Sequence, residues 1–169
     1  MTSLLILGGA RSGKSRYGQQ RVEGFDGSLA YIATAQSFDC EMADRIARHR
    51  ADRGSRWTTL EAPLDLSGAI AEASQRFSAI LVDCLTLWLS NQMLTDRDMA
   101  EACDGLIRAI GACTVPVALI ANEVGLGIVP DNALARRFRD EAGWLNQKLA
   151  EVASEVVFVA AGLPLTLKA

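Results

Sequence analysis

Eight residues near the N-terminus, Gly8-Gly9-Ala10-Arg11-Ser12-Gly13-Lys14-Ser15, fit the pattern G-x-x-x-x-G-K-[ST] of a phosphate-binding loop. Gly8, Gly9 and Gly13 let the backbone turn tightly, so that successive N–H groups converge on phosphate oxygens. A helix opening near Lys14 adds the positive end of its dipole. Lys14 reaches the β- and γ-phosphates as a point charge, and the Ser15 hydroxyl is placed to ligate the Mg²⁺ that bridges them. The expected occupant is a nucleoside triphosphate with its metal.

A second carboxylate belongs with this loop. Ala79-Ile80-Leu81-Val82-Asp83 reads as a strand ending in an acid, the arrangement that holds magnesium through water opposite Ser15. Asp83 also precedes a short segment that can turn helical at Leu85, so a helix cap is the competing reading. The text after the next strand is Asn122-Glu123-Val124-Gly125 where a guanine-reading Asn-Lys-x-Asp would stand, which argues against a small regulatory GTPase.

The chain has one histidine. Glu41, Arg45, His49 and Arg53 are spaced by four, so a helix over residues 41–53 puts them on one face. A neighbouring arginine disfavours the imidazolium and leaves a ring nitrogen able to attack phosphorus, while the glutamate acts in the opposite sense. On spacing alone, a surface histidine on an ion-paired amphipathic helix is the favoured reading.

These groups need a scaffold. Short apolar runs recur at Leu4 to Leu7, Leu29 to Ala33, Ala79 to Val82, Val115 to Ala121 and Val156 to Ala161, with helical segments between them. That rhythm predicts an α/β fold with a mostly parallel sheet covered by helices on both faces. Pro116 moves the start of the fourth strand to Val117. Helices are expected over residues 65–76 and 96–110. Another follows the loop from Gly125 to Asn132, with Leu134, Phe138, Leu145, Leu149 and Val152 on one face.

The length of 169 residues suits one domain. With 17 basic against 20 acidic side chains, the net charge of -3 offers no general attraction for a nucleic-acid backbone, so a phosphorylated small molecule is the better ligand. No apolar run approaches the length of a membrane span and no leader pattern opens the chain, so a soluble cytoplasmic protein with no stable membrane insertion is expected. Cys40, Cys84, Cys103 and Cys113 lack zinc-site spacing and read as small buried or half-buried side chains in a reducing compartment.

Four segments carry a resemblance that spans essentially the whole chain. They are the loop Gly8 to Ser15, Tyr31-Ile32-Ala33-Thr34-Ala35, the stretch Asp39 to Arg50, and Asn122-Glu123-Val124-Gly125-Leu126-Gly127-Ile128-Val129-Pro130. Leu134 to Asp140 and Asn146-Gln147 extend it. Together they resemble the bifunctional adenosylcobinamide kinase/adenosylcobinamide-phosphate guanylyltransferases of cobalamin synthesis.

The resemblance implies a RecA-like P-loop fold, a homotrimer and two reactions. In the first, ATP or GTP phosphorylates the aminopropanol hydroxyl of adenosylcobinamide. In the second, adenosylcobinamide phosphate takes GMP from guanylylated enzyme to give adenosylcobinamide-GDP, pyrophosphate having left earlier. The family's modified histidine falls on His49. Nucleotide contacts beyond Gly8 to Ser15 fall on Ala33, Thr34, Ala35, on Arg50, Ala51, Asp52, Arg53, on Glu61 and on Asp83. Asp83 or Glu123 is a candidate to take the proton of the acceptor hydroxyl, and the sequence does not choose between them. The rivals are a small-molecule kinase with no covalent intermediate and a non-catalytic nucleotide-binding regulatory module. Trp57, Trp88 and Trp144 read equally as stacking surfaces for a corrin ring or as packing.

Overall fold

The computed structural model describes residues 3–35, 54–95 and 97–169. Its strands are β1 (Ser3–Gly8), β2 (Leu29–Ala33), β3 (Trp57–Glu61), β4 (Ala79–Asp83), β5 (Val117–Asn122), β6 (Glu155–Ala160) and β7 (Leu163–Lys168). They form one sheet in the order β3-β2-β4-β5-β1-β6-β7. Every pairing is parallel except β6 with β7. The described helices are α1 (Lys14–Glu23), α2 (Leu66–Arg76), α3 (Leu85–Leu94), α4 (Met99–Ala112) and α5 (Ala133–Val152).

The inner strands are apolar throughout because helices cover both faces of the sheet. Leu5, Ile32, Ile80 and Val82 pack on one face with Leu66 of α2, Trp88 of α3, Leu106 of α4 and Leu145 of α5. Leu4, Ile6, Leu81 and Ile120 face the other way, with Val22 of α1. Alternate residues of one strand thus serve two cores, and truncating a fully buried member such as Leu5 to alanine costs about 2–5 kcal/mol. The α/β fold with a mostly parallel, doubly covered sheet is the one expected.

Gly18 explains how closely α1 approaches the sheet. A Cβ there would lie 2.9 Å from Ile6 Cδ1, 3.1 Å from Ile120 Cδ1 and 3.2 Å from Leu81 Cδ1. The helix rests its backbone on three strands at that point.

Four details depart from the expectation. β3 and β7 have no counterpart among the apolar runs, since both lie at sheet edges: β3 is only half-buried and β7 is exposed along its length. A full ten-residue helix, α3, stands where only a short helical segment follows Asp83 in the sequence reading. The helix expected over 96–110 begins at Met99 behind an Asp98 cap and runs to Ala112. On α5 the buried residues are Ala142, Leu145, Asn146 and Leu149, whereas Leu134 is 60% and Val152 47% exposed. The exposed members stand in the first and last turns of the helix, and its buried residues lie in between.

Other expectations fit. β5 begins at Val117, just past Pro116, and α2 follows an Asp65 cap. Cys84, Cys103 and Cys113 are buried free thiols, and burial pushes each thiol above its ordinary range. Among the described residues, no helix is long and apolar enough to cross a membrane. The helix expected over 41–53 lies outside the described residues, as does Cys40.

Candidate active site

The glycine-rich segment links β1 to α1 with backbone angles that few residues adopt. Gly13 has φ of 95° and Arg11 φ of 55°, both in the left-handed region. Gly8 is excluded from carrying a side chain by contact, since a Cβ there would lie 2.5 Å from Val159 O. Residues Asp65, Asp98 and Asn132 cap α2, α4 and α5 with side-chain oxygens, but Gly13 gives α1 no such cap. The first N–H groups of α1 therefore have no side-chain acceptor at their cap, which is the arrangement that suits an anion.

The interior of the loop is polar and partly unsatisfied. Ser12 Oγ is buried with no hydrogen-bond partner. Lys14 is buried as well, its Nζ donating to Gly9 O at 3.0 Å. The buried Lys14 ammonium is the charge that phosphate oxygens would match, while the Ser12 hydroxyl packs against Gly8, 2.7 Å from where a Cβ on that residue would lie.

Support comes from the far end of the chain. β6 and β7 form a hairpin turned by Ala161 and Gly162, both at positive φ (52° and 80°). Gly162 donates its N–H to Ser12 O at 2.8 Å, and a Cβ on Gly13 would lie 3.2 Å from Gly162 Cα. This buttress has no local signature in the sequence. An Ala-Gly pair after an apolar run signals a turn, but nothing local says that the turn touches residue 12.

Among the described residues, the remaining candidates gather at the same, carboxyl-terminal edge of the sheet, where ligands of open α/β folds bind. Ala33 is in register with Glu61 on one side and Asp83 on the other, so the three end their strands in one row. Asp83 Oδ2 accepts a hydrogen bond from Tyr31 Oη at 3.2 Å, and the cap position of α3 is occupied by Cys84, so the cap reading of Asp83 does not hold. β5 lies between β4 and β1, which sets Asp83 two strand spacings, about 10 Å, across from the end of β1. A triphosphate with its metal and water can bridge that span; a direct side-chain contact is not required.

Thr34 has a different employment. Its Oγ1 donates to Cys84 O at 2.7 Å and accepts from Cys84 N at 2.9 Å, its N–H donates to Asp83 O, and its carbonyl accepts from Asn91 Nδ2 at 2.9 Å. Hydroxyl, N–H and carbonyl thus all have internal partners that tie β2, β4 and α3 together at the site's edge. Asn91 also donates to Pro63 O, and Trp88 and Gln92 both donate to Leu64 O. Trp88 is therefore packing. Trp57 packs edge-on to Tyr31 with its indole N–H on Glu23, and Trp144 is 58% exposed.

Magnesium suits this donor set. Ser15 at the start of α1 and Asp83 at the end of β4 are hard oxygen donors, and the described residues contain no cluster of three His, Cys, Asp or Glu side chains that would build an all-protein cage. A cation held mainly by phosphate oxygens, water, a hydroxyl and one carboxylate is how Mg²⁺ is carried at nucleotides. Gly8, Gly9, Ala10, Arg11, Ser12, Gly13, Lys14 and Ser15 are thus brought to one edge with Ala33, Thr34, Ala35, Glu61 and Asp83. His49, Arg50, Ala51, Asp52 and Arg53 lie outside the described residues.

Residues 4–167 match the family model described as cobinamide kinase / cobinamide phosphate guanyltransferase. The chain belongs to this family. It is 46% identical over 166 residues to the bifunctional adenosylcobalamin biosynthesis protein CobP of Pseudomonas aeruginosa, covering 97% of this chain and 96% of the relative. It is 38% and 39% identical to the CobU proteins of Salmonella typhimurium and Escherichia coli, with 98% of this chain and 99% of each relative covered. Membership makes the chain an enzyme of the kinase and nucleotidyltransferase kind. In fold it is similar to the flagellar accessory protein FlaH of Methanocaldococcus jannaschii, with TM-score 0.56 and 13% identity over 99% of this chain and 78% of that one. The RadB recombinase gives TM-score 0.54 and 14% identity over 93% and 73%. At those identities the likeness speaks for the RecA-like fold alone.

Proposed function

We propose that this enzyme phosphorylates the aminopropanol hydroxyl of adenosylcobinamide with ATP or GTP. It then transfers GMP from GTP, through a guanylyl group on His49, to adenosylcobinamide phosphate. The products of the second step are adenosylcobinamide-GDP and pyrophosphate. The observation that carries the reading is the family match from residue 4 to residue 167, joined to a glycine-rich loop whose buried Lys14 calls for an anion.

The two reactions use different phosphorus atoms of the triphosphate, and these lie on opposite sides of the β-phosphate. In the kinase step the loop N–H groups and Lys14 hold the β- and γ-phosphates while the acceptor oxygen attacks the γ-phosphorus and nucleoside diphosphate departs. Ser15 and Asp83 are the residues that would hold Mg²⁺, which would supply neutralisation of the charge developing on the phosphates. In the guanylyl step a ring nitrogen of His49 attacks the α-phosphorus of GTP. The N–P bond forms, the bridge to the β-phosphate breaks, and Lys14 and the loop steady the departing pyrophosphate. Arg45 or Arg53, four residues on either side of His49, neutralises charge on the α-phosphate. A phosphate oxygen of adenosylcobinamide phosphate then takes the guanylyl group and frees the imidazole. Ala33, Thr34, Ala35, Arg50, Ala51, Asp52, Arg53, Glu61 and Asp83 complete the nucleotide surroundings in this reading, in a cytoplasmic homotrimer.

Incubation with α-labelled GTP and Mg²⁺, followed by peptide mapping, tests the covalent step. The label is expected on His49 and should be discharged by adenosylcobinamide phosphate. Label on another residue, no label, or a His49→Ala variant with full guanylyl transfer defeats it. Formation of nucleoside diphosphate with no pyrophosphate in the presence of adenosylcobinamide phosphate would favour a plain kinase.

A further inference from the structure

Resting on the kinase half of that reading, we propose that Glu123 is the general base that takes the proton from the acceptor hydroxyl during phosphoryl transfer. The assignment comes from where the sheet puts two carboxylates. β5 is the immediate neighbour of β1, with Gly8 in register with Asn122, so Glu123 is the first residue beyond the strand that lines the phosphate loop. Its own N–H donates to Gly8 O at 3.0 Å. The next carbonyl along, Gly9 O, accepts from Lys14 Nζ at 3.0 Å. The ammonium that grips the β- and γ-phosphates and the backbone of Glu123 are therefore fastened to consecutive carbonyls of the loop.

Asp83 is differently occupied. It is one strand farther from β1, and its carboxylate already accepts from Tyr31 Oη. That suits a metal-side acid and leaves the γ-phosphate side to Glu123. The Glu123 side chain is half-buried, and its carboxylate accepts the N–H of Gly125, two residues along the same loop. Among the described residues the carboxylate has this one hydrogen-bond partner, a neighbouring loop amide, which can be exchanged for the hydroxyl of an incoming acceptor.

The step balances as a phosphoryl transfer. The acceptor oxygen forms a bond to the γ-phosphorus, the bond from that phosphorus to the β–γ bridging oxygen breaks, nucleoside diphosphate leaves with the electron pair, and the hydroxyl proton passes to a carboxylate oxygen of Glu123. Self-guanylylation of His49 has no hydroxyl to deprotonate, since a neutral imidazole nitrogen attacks directly. The two half-reactions should therefore respond differently to loss of this base.

The test is Glu123→Gln in the full-length protein. Glutamine keeps an oxygen able to accept from Gly125 N–H, so the loop bond survives while proton acceptance is lost. Adenosylcobinamide kinase turnover is expected to fall by roughly 10²–10⁴-fold. Binding of Mg²⁺-GTP and labelling of the enzyme by α-labelled GTP should stay within about threefold of wild type, and Glu123→Asp should recover part of the kinase rate. Kinase turnover within about tenfold of wild type overturns the assignment. So does a parallel loss of kinase turnover and self-labelling, or of nucleotide binding. If the wild-type enzyme itself takes no label, the covalent route fails on its own account, and Glu123 is judged by kinase turnover against Mg²⁺-GTP binding.

Discussion

Single side chains here differ sharply in how far their chemistry is visible before folding. Lys14 and Ser15 announce themselves through spacing, because a phosphate cradle needs glycine, lysine and hydroxyl in a fixed order on one continuous backbone. Glu123 does not, because its value depends on which strand lies beside β1. The ion pair between Arg21 and Glu155 is similarly invisible: its partners are far apart in sequence, yet both guanidinium nitrogens NH1 and NH2 reach the carboxylate, at 2.8 and 2.7 Å. The hydrogen bond from Arg21 is the chief cause holding the Glu155 carboxyl below its ordinary range, and the same pairing drives the Arg21 guanidinium upward. A carboxyl depressed in the folded state contributes stability that is complete above its unfolded value near 4.5 and fades as the pH falls through the lower folded value. Both side chains are partly open to water, 40% and 27% exposed, so the contribution is about 0.2–1 kcal/mol. Denaturant unfolding of Arg21→Met should show a deficit of that size at about pH 7, shrinking toward zero at an acid pH below the carboxyl's folded value. A deficit equal at both pH values would mean that the arginine stem acts by packing instead.

At the scale of elements, two glycines in helices make opposite predictions. Gly18 of α1 lies against the sheet, and a methyl group there would press on Ile6, Ile120 and Leu81. Gly143 of α5 has nothing within 4 Å of its would-be Cβ. Gly18→Ala is therefore expected to destabilise by about 1–3 kcal/mol through overpacking. Gly143→Ala is expected to stabilise by about 0.5–1 kcal/mol, since a mid-helix glycine loses more backbone freedom on folding. Thermal and denaturant melts of the two variants check this, and equal signs would contradict the packing described for α1. Sequence alone marks Gly143 as a weak point in a helix. It does not mark Gly18 as a contact, because that depends on three strands meeting beneath it. The strands divide in the same way: β1, β2, β4, β5 and β6 are apolar runs because they are covered on both faces, while β3 and β7, as partly or wholly exposed edges, carry no such run.

For the molecule as a whole, the homotrimer carried by the family resemblance has a direct test. Light scattering on the purified protein should give three times the 18.1 kDa chain mass, and a concentration-independent single-chain mass would defeat it. The sequence by itself determined the phosphate-loop pattern of the first loop and the class of sheet that displays it. Both follow from patterns within a few consecutive residues: spacing around a phosphate, and apolar runs long enough for a covered strand. Tertiary structure alone decided which carboxylate stands beside the loop, what Thr34 is bonded to, and that the Ala161–Gly162 turn props Ser12. Those contacts join residues from 50 to 150 positions apart, and strand order, which no local pattern encodes, is what brings them within bonding distance.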